Sequence, residues 1–178
     1  MPIRYGEYHM SMPTFETERT FLRPFTLDDA HALNQVNKLH SVMRYIGPTE
    51  TAEQTRDYLI NGPLADYQQW GYGRHAVIDK ASEQLIGFCG LKYLADIDET
   101  DIGYRLLPSF WGQGLATETA LALMDYAKSA LQLTRVIALA LPDNHASINI
   151  FPKLGLEYEK DIVYAGETCV LWSWQTSS

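Results

Sequence analysis

Between a strand-like run at 101–107 and an Ala/Leu-rich helical run lies the segment Trp111-Gly112-Gln113-Gly114-Leu115-Ala116-Thr117-Glu118. It dictates a sharp strand-to-helix turn, because glycines with small neighbours let the backbone bend tightly and approach a ligand closely. The following helix opens with free N–H groups and the positive end of its dipole, a ready site for an anion such as a diphosphate. The plainer reading is a turn that only joins strand to helix. Two well-known phosphate loops are excluded. No GxxxxGK followed by Ser or Thr is present, and Thr117 stands where a dinucleotide fingerprint needs its third small residue. The loop also follows a predicted meander rather than a first parallel strand.

The rest of the chain supplies the context. Residues 1–17 lack a clear period and read as an N-terminal arm, leaving 18–178 as a single domain. A strand is predicted at 20–25, a helix opened by Asp28 and Asp29 to about 40, and a mostly helical 51–70 interrupted at Gly62-Pro63. Strands at 75–78, 85–93 and 101–107, joined by short turns, predict an antiparallel meander. After the glycine turn comes a helix to about 130, with Leu121, Met124 and Leu131 as inward candidates, then an apolar strand at 135–141. A short helix over 144–154, closed by Gly155, precedes two final strands near 157–164 and 168–174. Together these give an α+β domain with a mixed sheet.

Composition removes several classes. The formal net charge of −8 argues against a nucleic-acid surface, which needs clustered Lys and Arg, and is compatible with a cationic substrate. Cys89 and Cys169 form no CxxC, and the histidines show no HExxH or other ligand spacing, so no metal site is expected. Free thiols, no basic-then-apolar leader and an apolar run at 136–142 too short to span a bilayer make the expected location cytoplasmic, with no membrane partner.

Asp101-Ile102-Gly103-Tyr104, Leu107-Pro108 and Trp111 to Glu118 resemble the acetyl-CoA-binding core of the GNAT N-acetyltransferases. Asn144-His145-Ala146-Ser147 and Lys153-Leu154-Gly155-Leu156 resemble the same family's next motif. Thr20 to Phe25 and Gly87-Phe88-Cys89-Gly90-Leu91 are similar to the branch containing the ribosomal-protein N-terminal acetyltransferases. The resemblance implies a GNAT fold, layered α/β/α, with six or seven largely antiparallel strands, about four helices and splayed central strands. It implies acetyl-CoA as co-substrate, no metal, a primary-amine acceptor and a monomer or homodimer. The acceptor it favours is a protein or peptide α-amino group. A small amine (polyamine, metabolite or aminoglycoside) is the alternative, and a non-catalytic coenzyme A-binding module is a third reading.

The same resemblance implies site residues. Backbone N–H groups of Gly112, Gln113, Gly114, Leu115, Ala116 and Thr117 would hold the diphosphate, and backbone near Leu106 and Leu107 would pair with the pantetheine arm. Gly103 fits a bulge or close approach there, or relief of crowding. Asn144 has two compatible roles, helix N-cap and amide partner of the pantetheine. Ser147, on the same side one turn later, is either an ordinary helix residue or a hydroxyl donor to the departing thiolate. The second reading arises because the family's usual Tyr acid is replaced by Phe151, which has no proton to give. Asp101 is either a solvated strand-start carboxylate or the group that holds the ammonium and passes its proton on. An α-amine of pKa about 7.7–8.0 needs little help, whereas a lysine near 10.4 needs much more.

Overall fold

A computed structural model describes residues 12–177. Its eight strands are β1 (Phe15–Glu16), β2 (Thr20–Pro24), β3 (Arg74–Asp79), β4 (Leu85–Leu94), β5 (Glu99–Leu106), β6 (Arg135–Ala140), β7 (Glu157–Tyr164) and β8 (Glu167–Gln175). They form one sheet in the order β1-β2-β3-β4-β5-β6-β8-β7. Every neighbouring pair is antiparallel except β5 with β6. This is the expected mixed, largely antiparallel sheet, with one strand more than the six or seven anticipated. The addition is β1, a two-residue strand inside the stretch read as an arm. Residues 1–11 of that stretch lie outside the described residues.

The helices are α1 (Ala30–Asn37), α2 (His40–Met43), α3 (Ala52–Leu59), α4 (Ala65–Trp70), α5 (Leu115–Ser129) and α6 (His145–Ile148). They exceed the anticipated four because two predicted helices are each broken. One stops at Lys38 and restarts as α2. The other kinks between α3 and α4 at Gly62-Pro63, where proline removes a helix N–H and crowds the preceding turn. Sequence chemistry fixes the starts. Thr51 and Gln54 form a reciprocal capping box at α3, with bonds of 2.8 and 3.2 Å. Before α1, Asp29 accepts the Thr26 N–H at 2.9 Å and a two-pronged Arg23 contact at 2.8 Å each. Burial opposes ionisation of Asp29, but these partners outweigh it and hold the carboxyl below its usual range.

Helices α1 and α3 bury Leu33 and Leu59 against Phe88 on one face of the sheet, and α5 buries Leu123 and Met124 on the other. The α5 stripe is Leu115, Thr119, Ala120, Leu123, Met124 and Ala127. Each fully buried Leu or Met there contributes about 1.5–3 kcal/mol. Met124 and Leu131 face the core as expected, but Leu121 is 46% exposed. It lies about 100° around the helix from Ala120, off the stripe. No helix among the described residues is long and apolar enough to cross a membrane.

The functional consequence of the topology is at β5. It pairs with β4 over eight residues, from Gly87↔Leu106 to Leu94↔Glu99, but meets β6 only at Asp101↔Ile137. Arg135, at the start of β6, clasps Glu99, at the start of β5, with Nε to both carboxylate oxygens at 2.9 and 3.0 Å. The same guanidinium reaches Glu159 on β7 at 2.8 Å. Parallel strands pinned at their first residues and unpaired beyond Asp101 diverge toward their C-terminal ends.

Candidate active site

The divergence opens a cleft of about 720 Å³, running from the start of α5, past the ends of β5 and β6, to α2 and the residues after it. Its rim at the start of α5 is built from backbone. Gly112 and Gly114 hold φ of +72° and +79°, left-handed values that favour glycine. Gly114 is the N-cap of α5, and no side chain caps the helix. The first N–H groups of α5 have no acceptor within the helix, and Leu115, Ala116 and Thr117 line the cleft. The loop is held from outside. Arg19 donates to the Gln113 carbonyl at 2.8 Å and to Glu118 at 3.0 Å, and the Thr17 hydroxyl donates to Glu118 at 2.7 Å. Glu118 would otherwise set a negative charge beside an anion site, and Arg19 offsets it.

The wall is β5. The Leu107 N–H donates to the Ile86 carbonyl at 2.8 Å, so by strand alternation Leu107, Arg105 and Gly103 bond to β4. The N–H and C=O groups of Leu106 and Tyr104 therefore face the divergence. The Trp111 indole donates to the Leu106 carbonyl at 2.8 Å, which folds the tryptophan over the strand end while leaving it 49% exposed. Gly103 shows no register shift, so it is not a bulge. A Cβ there would lie 2.6 Å from Nη2 of Arg74, so the glycine makes room for a guanidinium.

At the far side, Asn144 caps α6, its Oδ1 accepting the Ser147 N–H at 3.3 Å. That bond uses the amide oxygen and leaves the amide nitrogen as a donor. Tyr104 donates to the Ser147 carbonyl at 3.0 Å, and burial pushes its phenol well above the usual range, so it stays protonated. Phe151, at the position of the missing acid, is buried and packs on Trp172 with ring centroids 5.9 Å apart.

Of the residues singled out from sequence, Leu106, Gly112, Gly114, Leu115, Ala116, Thr117, Asn144 and Ser147 share the cleft lining. Gln113 sits in the loop with its side chain turned back to the Ser109 carbonyl at 3.1 Å. Leu107 and Asp101 stand outside the lining. Asp101 is not a solvated strand-start carboxylate. It is paired with Arg74 at 2.9 Å, in a contact too poorly aligned to be a hydrogen bond, and burial pushes its carboxyl above the usual range. Sequence reading missed Tyr104, Arg105, Arg44 and Lys153, which all line the cleft. Among the described residues the lining holds no Asp, Glu or His. An acidic chain thus carries a cleft whose charged lining residues are Arg44, Arg105 and Lys153.

These residues suit coenzyme A by their own chemistry: uncapped N–H donors for phosphate, an outward strand edge and an amide donor for amides. The model of an acetyltransferase (GNAT) domain matches residues 19–157. The chain is 33% identical over 153 residues to an uncharacterised N-acetyltransferase, p20, of Bacillus licheniformis, covering 83% of this chain and 84% of the relative. It is 26% identical over 152 residues to a spermidine N(1)-acetyltransferase of Escherichia coli, covering 80% and 75% of the two chains. A ribosomal L7/L12 α-N-protein acetyltransferase solved in complex with coenzyme A matches with a TM-score of 0.77 at 19% identity, over 92% of this chain and 98% of that one. The last likeness is one of fold.

Proposed function

The chain belongs to the acetyltransferase (GNAT) family and is an N-acetyltransferase; from that premise we propose that its acceptor is the α-amino group of a protein or peptide. The observation that carries this reading is the absence of Asp, Glu and His from the cleft lining among the described residues. An α-amine of pKa about 7.7–8.0 is near one-tenth neutral at pH 7 and attacks without a strong base, whereas an amine near 10.4 does not. A polyamine or aminoglycoside would also meet Arg44, Arg105 and Lys153 rather than carboxylates.

Acetyl-CoA supplies the activated acetyl group. The N–H groups from Gly112 to Thr117 hold its diphosphate at the start of α5, and the Leu106 backbone and the Asn144 amide orient the pantetheine. An N–H of β6 polarises the thioester carbonyl, and positioning of the amine contributes most of the rate. The Ser147 hydroxyl, beside the protonated Tyr104, donates toward the leaving sulfur. Asp101, paired with Arg74 outside the cleft lining, reaches the acceptor only through water. The segments Thr20 to Phe25 and Gly87 to Leu91, which resemble the ribosomal-protein branch, favour the same acceptor class.

The test is free-thiol release from acetyl-CoA with peptides bearing Ser, Ala and Met N-termini, spermidine and an aminoglycoside. Peptide-dependent release is expected. Release with only the small amines would move the chain to that class. Silence throughout, with acetyl-CoA still raising the melting temperature, would make it a binding module.

A further inference from the structure

Two arginines reach the Phe88 ring on the face of the sheet opposite α5, and their fates differ. Arg74 lies 5.7 Å from the ring centroid and is paired with Asp101 at 2.9 Å. Arg105 lies 4.8 Å from the same centroid, lines the cleft, and has no carboxylate within ion-pair distance among the described residues. Its Nη1 donates to Asn37 Oδ1 at 2.8 Å, while its Nε is buried without a partner. The carboxylate that might have neutralised it, Glu50, is one side chain removed, held by Asn37 Nδ2 at 2.9 Å and by Thr55 at 3.0 Å. Asn37 thus separates Glu50 from Arg105 and aims the guanidinium.

Burying an unpaired guanidinium is costly, and with Nε enclosed and Nη1 bonded to Asn37, Nη2 is the edge left to meet an anion. The phosphate-holding loop cannot serve, because it lies at the start of α5 on the other face. We propose that Arg105 binds a carboxylate carried by the acceptor close to its α-amine. The inference rests on the α-amine reading above and narrows it. Arg105 is the specificity residue, and Asn37 positions it. A guanidinium fork takes a carboxylate with two parallel bonds, so the acid form of an acceptor is preferred to its isosteric amide.

The experiment compares matched pairs as acceptors with acetyl-CoA: Ser-Glu against Ser-Gln N-terminal peptides, and free methionine against methioninamide. The first pair tests a side-chain carboxylate and the second the main-chain one. In at least one pair the acid should exceed the amide in kcat/KM by about 10-fold or more. In Arg105→Gln that ratio should fall to about one, by the same loss of the charged pair, with the KM for acetyl-CoA unchanged. Arg105→Lys, which keeps the charge but loses the fork, should give an intermediate ratio and decides the matter if Arg105→Gln does not fold. Ratios near one for both pairs in the wild type, or a preference that survives in the Arg105 variants, would overturn the proposal. So would a carboxylate preference that follows the acyl donor, seen as succinyl-CoA outpacing acetyl-CoA with the amides. No thiol release with any amine would instead defeat the α-amine reading itself.

Discussion

The two ends of the cleft are made of different materials. The end proposed to hold the cofactor is backbone: glycines in left-handed conformations, uncapped N–H groups and an outward strand edge, all within a short stretch of sequence. The end proposed for the acceptor rests on a side chain, Arg105 on β5, set in place by residues from far apart, Asn37 on α1 and Phe88 on β4, with Glu50 behind them. A backbone site tolerates variation in its side chains, because its donors remain. A side-chain site is retuned by a single substitution. The first suits a ligand common to a family and the second a ligand that differs among its members.

That contrast is open to attack at each end. The largest effect should come from Gly114→Glu. The glycine has space for a Cβ, with Arg19 at 3.6 Å as its nearest neighbour, but its φ of +79° adds backbone strain to any side chain placed there. A carboxylate there would sit at the positive end of α5, pair with Arg19 and repel the diphosphate. A loss of about 3 kcal/mol, on the order of 100-fold in acetyl-CoA affinity, is expected by titration calorimetry. Unchanged affinity would remove the anion site from the account.

Asn37→Ala strikes the other end. Arg105 would lose its bonded nitrogen's partner, and Glu50 would be freed to approach it. We expect acceptor kcat/KM to fall about 10-fold with acetyl-CoA KM unmoved, as for loss of a hydrogen bond to a charged group. Equal changes in both KM values would show that the ends are not separable.

Ser147→Ala probes the point where they meet. If the hydroxyl donates to the leaving sulfur, kcat should drop about 3- to 10-fold with both KM values steady. No change in kcat would leave Ser147 as scaffold and turn attention to Tyr104. The smallest effect belongs to Trp111→Phe. It removes one half-exposed hydrogen bond to the Leu106 carbonyl, so acetyl-CoA KM should stay within about threefold of the wild type. A larger change would mean that this side chain carries binding assigned to backbone.

The same difference in materials explains what the sequence revealed. Glycines, helix starts and the Asn144 cap are local features, and the sequence itself points to a tight turn and an anion site at the start of α5. The single β5–β6 pairing followed only from family resemblance. Arg105 was invisible as a site residue because its environment comes from residues up to 68 positions away in sequence. Asp101 was read with a solvated alternative that burial and Arg74 exclude, and Leu121 was assigned inward because three apolar positions did not fix the helix phase. The short β1 escaped because two residues carry no period.

The central claim is that both ends serve one reaction in one continuous cleft. A bisubstrate conjugate tests it most directly: coenzyme A linked through its sulfur and an acetyl bridge to the α-nitrogen of the best acceptor peptide, titrated by calorimetry. Linked ligands that engage both ends at once should bind about 100-fold tighter than coenzyme A alone, and both Gly114→Glu and Asn37→Ala should weaken them. A conjugate that binds no tighter than coenzyme A would place the acceptor somewhere other than this cleft.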